Sequence, residues 1–177
     1  MTLNKMRREF EASANRSISM PIAGAIVWFT VALLSTQVGE QMSALILLFG
    51  SGTIFPIALL VAKLRNEALI TAVNPLAKLL GLSILMVNLL WAVHIPLFLT
   101  SPELVLLSIG IGLGLHWIVY SWIVQHPIGT IHAILRTLLV LGCWTIFPGQ
   151  RLLAMGLAIV FVYCFSIWRM LIRPLPE

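Results

Sequence analysis

The sequence predicts an all-α membrane protein that crosses the bilayer six times with both termini in the cytoplasm, and three observations support this class. First, hydrophobic residues make up 60% of the 177 residues and charged residues 10%, with no aspartate, and the mean hydropathy is +1.03. A soluble domain has about 25% charged residues. The second observation is a set of six long apolar runs, and the third is the placement of nearly all basic residues on one side of them. Together they exclude a water-soluble fold.

The six runs form one transmembrane domain, residues 18–173, which follows a more polar segment, residues 1–17. A helix needs about 20 mostly apolar residues to cross the hydrocarbon core. The runs that approach or exceed this length are 18–36, 42–62, 76–99, 103–124, 131–147 and 151–172.

The residues between these runs are of the types that begin and end helices. Asn74 precedes Pro75, and Ser101 precedes Pro102. Proline is tolerated in the first helical turn, and Asn or Ser side chains accept hydrogen bonds from the unpaired N–H groups there. The Pro-Gly pair at 148–149 predicts a turn between the last two spans.

The N-terminal segment predicts a short amphipathic helix. Leu3, Met6 and Phe10 recur at helical spacing, and Lys5 stands four residues before Glu9, a spacing that favours an ion pair on a helix surface. We expect this helix to lie on the inner leaflet. A frayed polar tail is the alternative interpretation.

The basic residues set the predicted orientation. With the N-terminus inside, ten of the 11 lysines and arginines, Arg136 included, face the cytoplasm, and only Arg151 faces outward. This asymmetry is the one that positive-inside topology produces. We therefore expect a protein of the cytoplasmic (inner) membrane whose basic residues contact anionic lipid headgroups. The net charge of +5 then reflects topology, and nucleic acid is not an expected partner.

One phrase occurs twice, as GSGTIFP at 50–56 and as GCWTIFP at 142–148. An offset of 92 residues places the first span on the fourth and the second on the fifth, which predicts a 3+3 inverted repeat of the kind found in many transporters. The alternative is local. Gly50 and Gly52 let a neighbouring helix approach, and Pro56 kinks the second span, so these three residues would form a structural hinge.

The fourth span carries a polar stripe. Ser108, Gly112, His116 and Tyr120 recur every fourth residue, so they lie along one face of the helix, with His116 near mid-membrane. An ionisable group at this depth is a functional hypothesis by default. The competing interpretation is a neutral histidine that is hydrogen-bonded to a neighbouring helix.

The third span offers partners for this stripe. Asn88 lies at a depth comparable with His116, and Trp91 follows it by three residues. We expect these side chains to form a midplane pocket for transport or intramembrane binding of a small solute. The predicted substrate-binding residues are Asn88, Trp91, Ser108, His116 and Tyr120.

A second group of residues is predicted at the inner surface. His126, His132 and Arg136 gather around the start of the fifth span, where they would bind a lipid headgroup or another anion. This arrangement favours a membrane-embedded enzyme or redox module as the alternative function. Simple positive-inside anchoring is the plainer explanation of the same residues.

The recognised catalytic motifs are absent from the sequence. HExxH, GxSxG, a P-loop and paired carboxylates do not occur, so we predict no catalytic residue, no metal site and no cofactor. The expected partners are membrane lipids, a small-molecule ligand and a second copy of the chain, paired through the glycine-rich faces. An accessory subunit of a larger membrane complex is a third alternative.

Three segments carry a resemblance to known proteins. GSGTIFPIALLVAKL, NPLAKLLG and GLHWIVYSW resemble small bacterial polytopic membrane proteins of uncharacterised function. The resemblance covers the second to fourth spans. It implies a bacterial inner membrane and no particular activity.

The predicted orientation can be tested with reporter fusions at each end of the chain. We expect a fluorescent reporter that folds only in the cytoplasm to be active at both termini, because an even number of spans returns the chain to its starting side. A periplasm-active phosphatase should be inactive at both ends. Reporters that respond on opposite sides would contradict the six-span topology.

Overall fold

The computed structural model describes residues 2–14, 16, 18–67 and 74–174, and every regular element in these residues is helical. The helices are α1 (Leu3–Ala14), α2 (Ser19–Leu34), α3 (Glu40–Gly52), α4 (Ile54–Arg65), α5 (Pro75–Leu89), α6 (Trp91–Thr100), α7 (Pro102–Val124), α8 (Ile128–Ile146) and α9 (Arg151–Ile172). A short 3₁₀ turn, Ser35–Gln37, extends α2.

Five helical segments of the described chain are long and apolar enough to cross a membrane. They are Ser19–Gln37, Pro75–Thr100, Pro102–Val124, Ile128–Ile146 and Arg151–Ile172, and the α3–α4 pair, bent by 41°, makes a sixth if it counts as one span. The predicted all-helical class is therefore confirmed, with five or six candidate membrane spans. The inverted repeat and the cytoplasmic location of the termini stay predictions.

The bend between α3 and α4 falls at the predicted hinge. Pro56 has no N–H to donate to the carbonyl of Gly52, and its ring would clash with that carbonyl in a continuous helix. Accordingly α3 ends at Gly52 and α4 begins at Ile54. The Thr53 hydroxyl donates to the carbonyl of Gly50 at 2.7 Å, which satisfies one carbonyl at the helix end.

The second copy of the repeated phrase also ends a helix. The Thr145 hydroxyl donates to the carbonyl of Gly142 at 2.9 Å, α8 stops at Ile146, and Pro148 follows. The first phrase continues within the same span as α4, whereas the second leads into the turn before α9. The two phrases therefore share a local helix-ending role but occupy different places in their spans.

Helix α2 packs closely against α9, and small residues allow this. A Cβ atom added at Gly24 would lie 2.6 Å from the Tyr163 ring, and one added at Gly156 would lie 2.6 Å from the Cβ of Ala32. The two helices thus lie close together both at Gly24 and at Gly156, as small residues permit in membrane bundles. Helix α8 in turn lies between α7 and α9.

The N-terminal helix α1 packs against the end of the bundle. Phe10 is buried, and the Arg7 guanidinium donates to the carbonyls of Ile123 (3.1 Å) and Trp122 (3.2 Å) at the end of α7. The side-chain oxygen of Asn74 caps α5 by accepting from the N–H of Leu76. Its side-chain nitrogen donates to a carbonyl of α1. The predicted amphipathic helix is present, and part of its apolar face is covered by protein.

Both ends of the described chain meet at this end of the bundle. The Arg16 guanidinium donates to the carbonyls of Met170 (2.9 Å) and Arg173 (2.7 Å). The side chains of Glu11 and Arg173 form an ion pair with an N···O distance of 2.5 Å, and they are only 5% and 3% exposed. Helix α1 is thereby fixed to the last turn of α9.

This ion pair should contribute strongly to stability, because a Glu11 carboxylate left buried without its partner is costly. We expect Arg173→Met to lower the free energy of unfolding by about 3–5 kcal/mol. The exposed pair of Arg151 and Glu40 supplies the control, since Arg151→Met should cost about 0–1 kcal/mol.

Unfolding in mixed micelles measures both variants. The double variant Glu11→Gln/Arg173→Met should recover part of the loss, because the stranded charge is gone. Equal effects of Arg173→Met and Arg151→Met would show that the buried pair does not hold α1 in place.

Candidate functional site

A cavity of about 430 Å³ lies inside the bundle. Its walls come from the start of α2, the α3–α4 break, the second half of α5, the middle of α7 and one residue of α9. Polar wall atoms come from Ser51, Asn88, His116 and Tyr163, and the larger apolar wall includes Ile54, Phe55, Ile84, Leu85, Leu113 and Trp117.

The cavity reaches the outer surface of the bundle. Helix α4 packs on α2, and α5 packs on α7, so the cavity lies between these two helix pairs. Phe55 and Leu85, one from each pair, line it and are 47% and 52% exposed. The opening therefore lies on an apolar part of the outer surface of the bundle.

His116 is the most informative group in the cavity wall. Its Nδ1 atom is buried and has no hydrogen-bond partner in the described part of the chain. Its ring lies beside Trp117, with 6.3 Å between the ring centroids. Buried polar atoms are nearly always hydrogen-bonded, so a ring without hydrogen-bond partners beside a cavity is a candidate contact for a ligand.

Asn88 lines the same cavity as His116, so the structure brings these two predicted residues together. The Asn88 amide donates to the carbonyl of Ile84 in its own helix at 2.9 Å. The residue is exposed, which leaves its side-chain oxygen accessible.

The other three predicted residues lie away from the cavity. The Ser108 hydroxyl is 3.2 Å from Nδ1 of His94, which is buried between α6 and α7. Trp91 packs edge-on against Phe49, with ring centroids 6.4 Å apart. The Tyr120 hydroxyl is 3.4 Å from the Arg173 guanidinium at the end of the bundle. The predicted stripe exists, but a helix places its members at successive levels against different neighbours.

Arg136 is completely buried, with 0% exposure. Its Nε donates to the carbonyl of Gly110 at 2.6 Å, and its Nη1 donates to the Tyr163 hydroxyl at 3.0 Å. Its guanidinium carbon lies 5.1 Å from the centre of the Trp28 ring. Nη2 has no partner within the residues that the structure describes. Arg136 therefore lies inside the bundle and not at its surface, and its predicted role in binding a lipid or another anion stays a prediction.

Helix α7 makes room for this side chain. A Cβ atom added at Gly114 would lie 2.9 Å from Cδ of Arg136, and Gly110 supplies the carbonyl that the guanidinium contacts. The glycine-rich face of α7 thus serves to accommodate a long charged side chain from α8.

His132 is also fully buried, one turn before Arg136, so it too lies inside the bundle. Its ring stacks on Trp117 at 3.8 Å, with 7° between the planes. Its Nδ1 lies 2.8 Å from Oγ of Ser166, and that hydroxyl donates its only proton to the carbonyl of Val162. For a neutral ring, Nδ1 must therefore carry the proton, and Nε2 is left with no partner among the described groups.

His126 alone of the three predicted anion-binding residues lies at the bundle end. It is half-buried in the turn between α7 and α8, where its Nδ1 accepts from the N–H of Ile128. Burial, and then the charges of Arg173 and Arg169, lower the pKa of His126 below its usual value. The predicted surface cluster is therefore not formed, because α8 turns its two polar side chains inward.

Tyr163 and Trp28 complete the site, and neither was singled out from the sequence. Each is one of several aromatic residues in an apolar span, so the sequence offered only a polar atom on the ring as a signal. Across the described residues, no group of three or more His, Cys, Asp or Glu side chains is close enough to hold a metal ion. The site offers hydrogen bonds, one positive charge and aromatic faces.

Comparison with known proteins gives a family but no activity. A model of a family of unknown function, DUF7010, matches residues 3–173. No curated protein and no solved structure matches the chain.

The tautomer of His132 tests the geometry of this site. We expect ¹⁵N NMR of the labelled protein to show a neutral His132 ring with the proton on Nδ1, because Ser166 can only accept there. Ser166→Ala should abolish this preference. Ser83→Ala removes another buried serine hydroxyl, bonded to Leu80 within α5, and should leave the His132 signals unchanged. A proton on Nε2 in the unmodified protein would contradict the described network.

Proposed function

The chain belongs to DUF7010, a family of unknown function, and we propose that it binds a small amphipathic molecule in the intramembrane cavity that His116 lines. The ligand would enter from the bilayer between α4 and α5 and place its polar group against His116. Membrane lipids surround the protein, and the ligand is one that dissolves in them.

The observation that carries this proposal is the ring of His116 in the cavity wall, which has no hydrogen-bond partner among the described residues. A buried polar atom without a hydrogen bond costs about 1–3 kcal/mol. A protein that retains this arrangement gains that energy back when a ligand supplies the missing bond. Asn88 adds a second hydrogen-bonding group on the facing helix.

The size and composition of the cavity agree with this role. Small-molecule sites commonly have volumes of about 300–1,000 Å³ and consist of apolar walls with a few polar groups, and the cavity here measures about 430 Å³. Its apolar part matches a hydrocarbon or aromatic body, and its polar part matches a single polar head.

The alternative of an enzyme at the inner surface has less support. That proposal needed His126, His132 and Arg136 to meet a lipid headgroup, and two of these residues are completely buried. The intramembrane cavity is the place where unpaired polar atoms and open space coincide.

Filling the cavity should abolish binding. Gly81 lines it, and a Cβ atom added there would meet nothing within 4 Å, so Gly81→Leu projects into open space without straining the helix. Gly142 has equally open surroundings near the end of α8, outside the cavity, and Gly142→Leu is the matched control.

The measurement is saturation binding of radiolabelled 1-decanol to the protein in nanodiscs, with empty nanodiscs as background. We expect saturable binding to the unmodified protein and to Gly142→Leu. The introduced side chain would occupy volume that the ligand needs, so Gly81→Leu should bind roughly tenfold more weakly or worse. Equal binding by both variants, or no saturable binding at all, would refute the proposed function.

A further inference from the structure

The positive charge of Arg136 has no negative partner in the described chain. The acidic side chains described are Glu9 and Glu11 in α1, Glu40 and Glu103 at the start of α3 and α7, and Glu67 after α4. None of them pairs with Arg136. Glu11 pairs with Arg173, and Glu40 pairs with Arg151.

Glu67 is also engaged elsewhere. Its carboxylate accepts from the Ser19 hydroxyl at 2.6 Å and from the Ser19 N–H at 3.1 Å at the start of α2. Arg65 is its nearest basic neighbour, at 3.5 Å. The positive charge of Arg136 is therefore not matched by a negative charge in the described interior. A buried charge is stable only when it is paired or well hydrogen-bonded.

The groups that face Arg136 from the neighbouring helices compensate this charge only in part. Helix α7 contributes the Gly110 carbonyl, α2 contributes the Trp28 ring, and α9 contributes the Tyr163 hydroxyl and ring. These are dipoles and aromatic faces. The guanidinium Nη2 remains buried without a partner among the described residues.

Tyr163 connects this charge to the cavity. Its side chain forms part of the cavity wall, and its oxygen accepts from Nη1 of Arg136. In the described part of the chain, no protein acceptor is recorded for the phenolic proton. A hydroxyl that accepts a bond from a cation becomes a stronger donor, so Tyr163 carries a strengthened O–H donor in a side chain that lines the cavity.

The second polar group of this end of the cavity is His116. The ring centroids of His116 and Tyr163 lie 6.3 Å and 6.2 Å from that of Trp117, and all three residues line the cavity. Two polar side chains therefore flank one aromatic ring. The remaining wall is mainly apolar.

We propose that the ligand of the cavity is a lipophilic carboxylate whose charged head binds the Tyr163 hydroxyl and His116, with Arg136 providing the compensating positive charge through Tyr163. This inference rests on the proposed binding function and specifies its ligand class. The carboxylate accepts the phenolic O–H, the phenolic oxygen accepts from Arg136, and the ligand's apolar body contacts Phe55, Ile84 and Leu113.

A carboxylate on an apolar body has two natural sources. It is either a fatty acid drawn from the bilayer or a small aromatic acid taken from solution. A purely inorganic anion does not match, since most of the cavity wall would remain without a partner. The experiment therefore uses decanoate and benzoate as the two acids, and 1-decanol as the neutral molecule with the same chain as decanoate.

The test measures saturation binding of each labelled probe to the protein in nanodiscs of zwitterionic lipid, at a pH where the acids are ionised. We expect decanoate to bind roughly tenfold or more tightly than 1-decanol after correction for partitioning into empty nanodiscs. Displacement of decanoate by benzoate would indicate a water-borne acid, and failure of benzoate to displace it would indicate a bilayer-borne acid. Both results support the carboxylate site.

Tyr163→Phe tests the contribution of the charged head to binding separately from that of the apolar body. This variant should lose the preference for decanoate over 1-decanol while it still binds 1-decanol. Tyr120→Phe is the matched control, because Tyr120 is equally buried but lies outside the cavity, and it should keep the preference.

The outcomes distinguish the two proposals. Equal binding of decanoate and 1-decanol to the unmodified protein would overturn the carboxylate inference and leave the binding function intact. Absence of saturable binding for every probe would overturn both. If Tyr163→Phe does not fold, the comparison of the two probes on the unmodified protein still decides the question.

Discussion

The burial of Arg136 at the centre of the bundle is the constraint around which the neighbouring helices are arranged. A guanidinium in a membrane interior must be surrounded by protein dipoles, aromatic faces or opposite charge. Here α7 supplies a glycine-lined groove and one carbonyl, α2 supplies the face of Trp28, and α9 supplies Tyr163. Gly24 permits the last of these, because the Tyr163 ring lies where any larger side chain of α2 would be. The close packing of α2, α7, α8 and α9 thus follows from one charged side chain.

The cavity lies beside this packed centre, on the side of α4 and α5. The α3–α4 segment bends at Thr53, and the span made of α5 and α6 is mostly exposed. The molecule therefore combines a closely packed half, which contains Arg136, with a more open half, which forms the cavity. Tyr163 belongs to both halves, since it contacts Arg136 and lines the cavity. In the function proposed here, a charge that is inaccessible from outside the bundle acts in this way, through Tyr163, on a ligand in the cavity.

The sequence predicted the span positions well because each depends on local chemistry. The length of an apolar run, the cap at Asn74 and the helix break before Pro56 are all decided by neighbours in the chain. The same reasoning placed Asn88 and His116 at one depth, and the structure puts both on the cavity. It failed for His132 and Arg136, since a shared helical face does not reveal whether that face points to headgroups or inward. Arg136 satisfied the positive-inside count although its guanidinium contacts only protein. Tyr163 and Trp28 were missed because their roles arise from helices that are distant in sequence.

The most direct test of this account is solid-state NMR of the protein in lipid bilayers, with ¹⁵N-labelled arginine and ¹³C-labelled tyrosine. The Arg136 signal is assigned by its disappearance in Arg136→Lys. The account predicts dipolar transfer from the Arg136 guanidinium to the Tyr163 ring carbon that bears the hydroxyl, and no transfer to lipid phosphorus. Transfer from this guanidinium to ³¹P of the headgroups, without contact to Tyr163, would place Arg136 at the membrane surface and contradict the account.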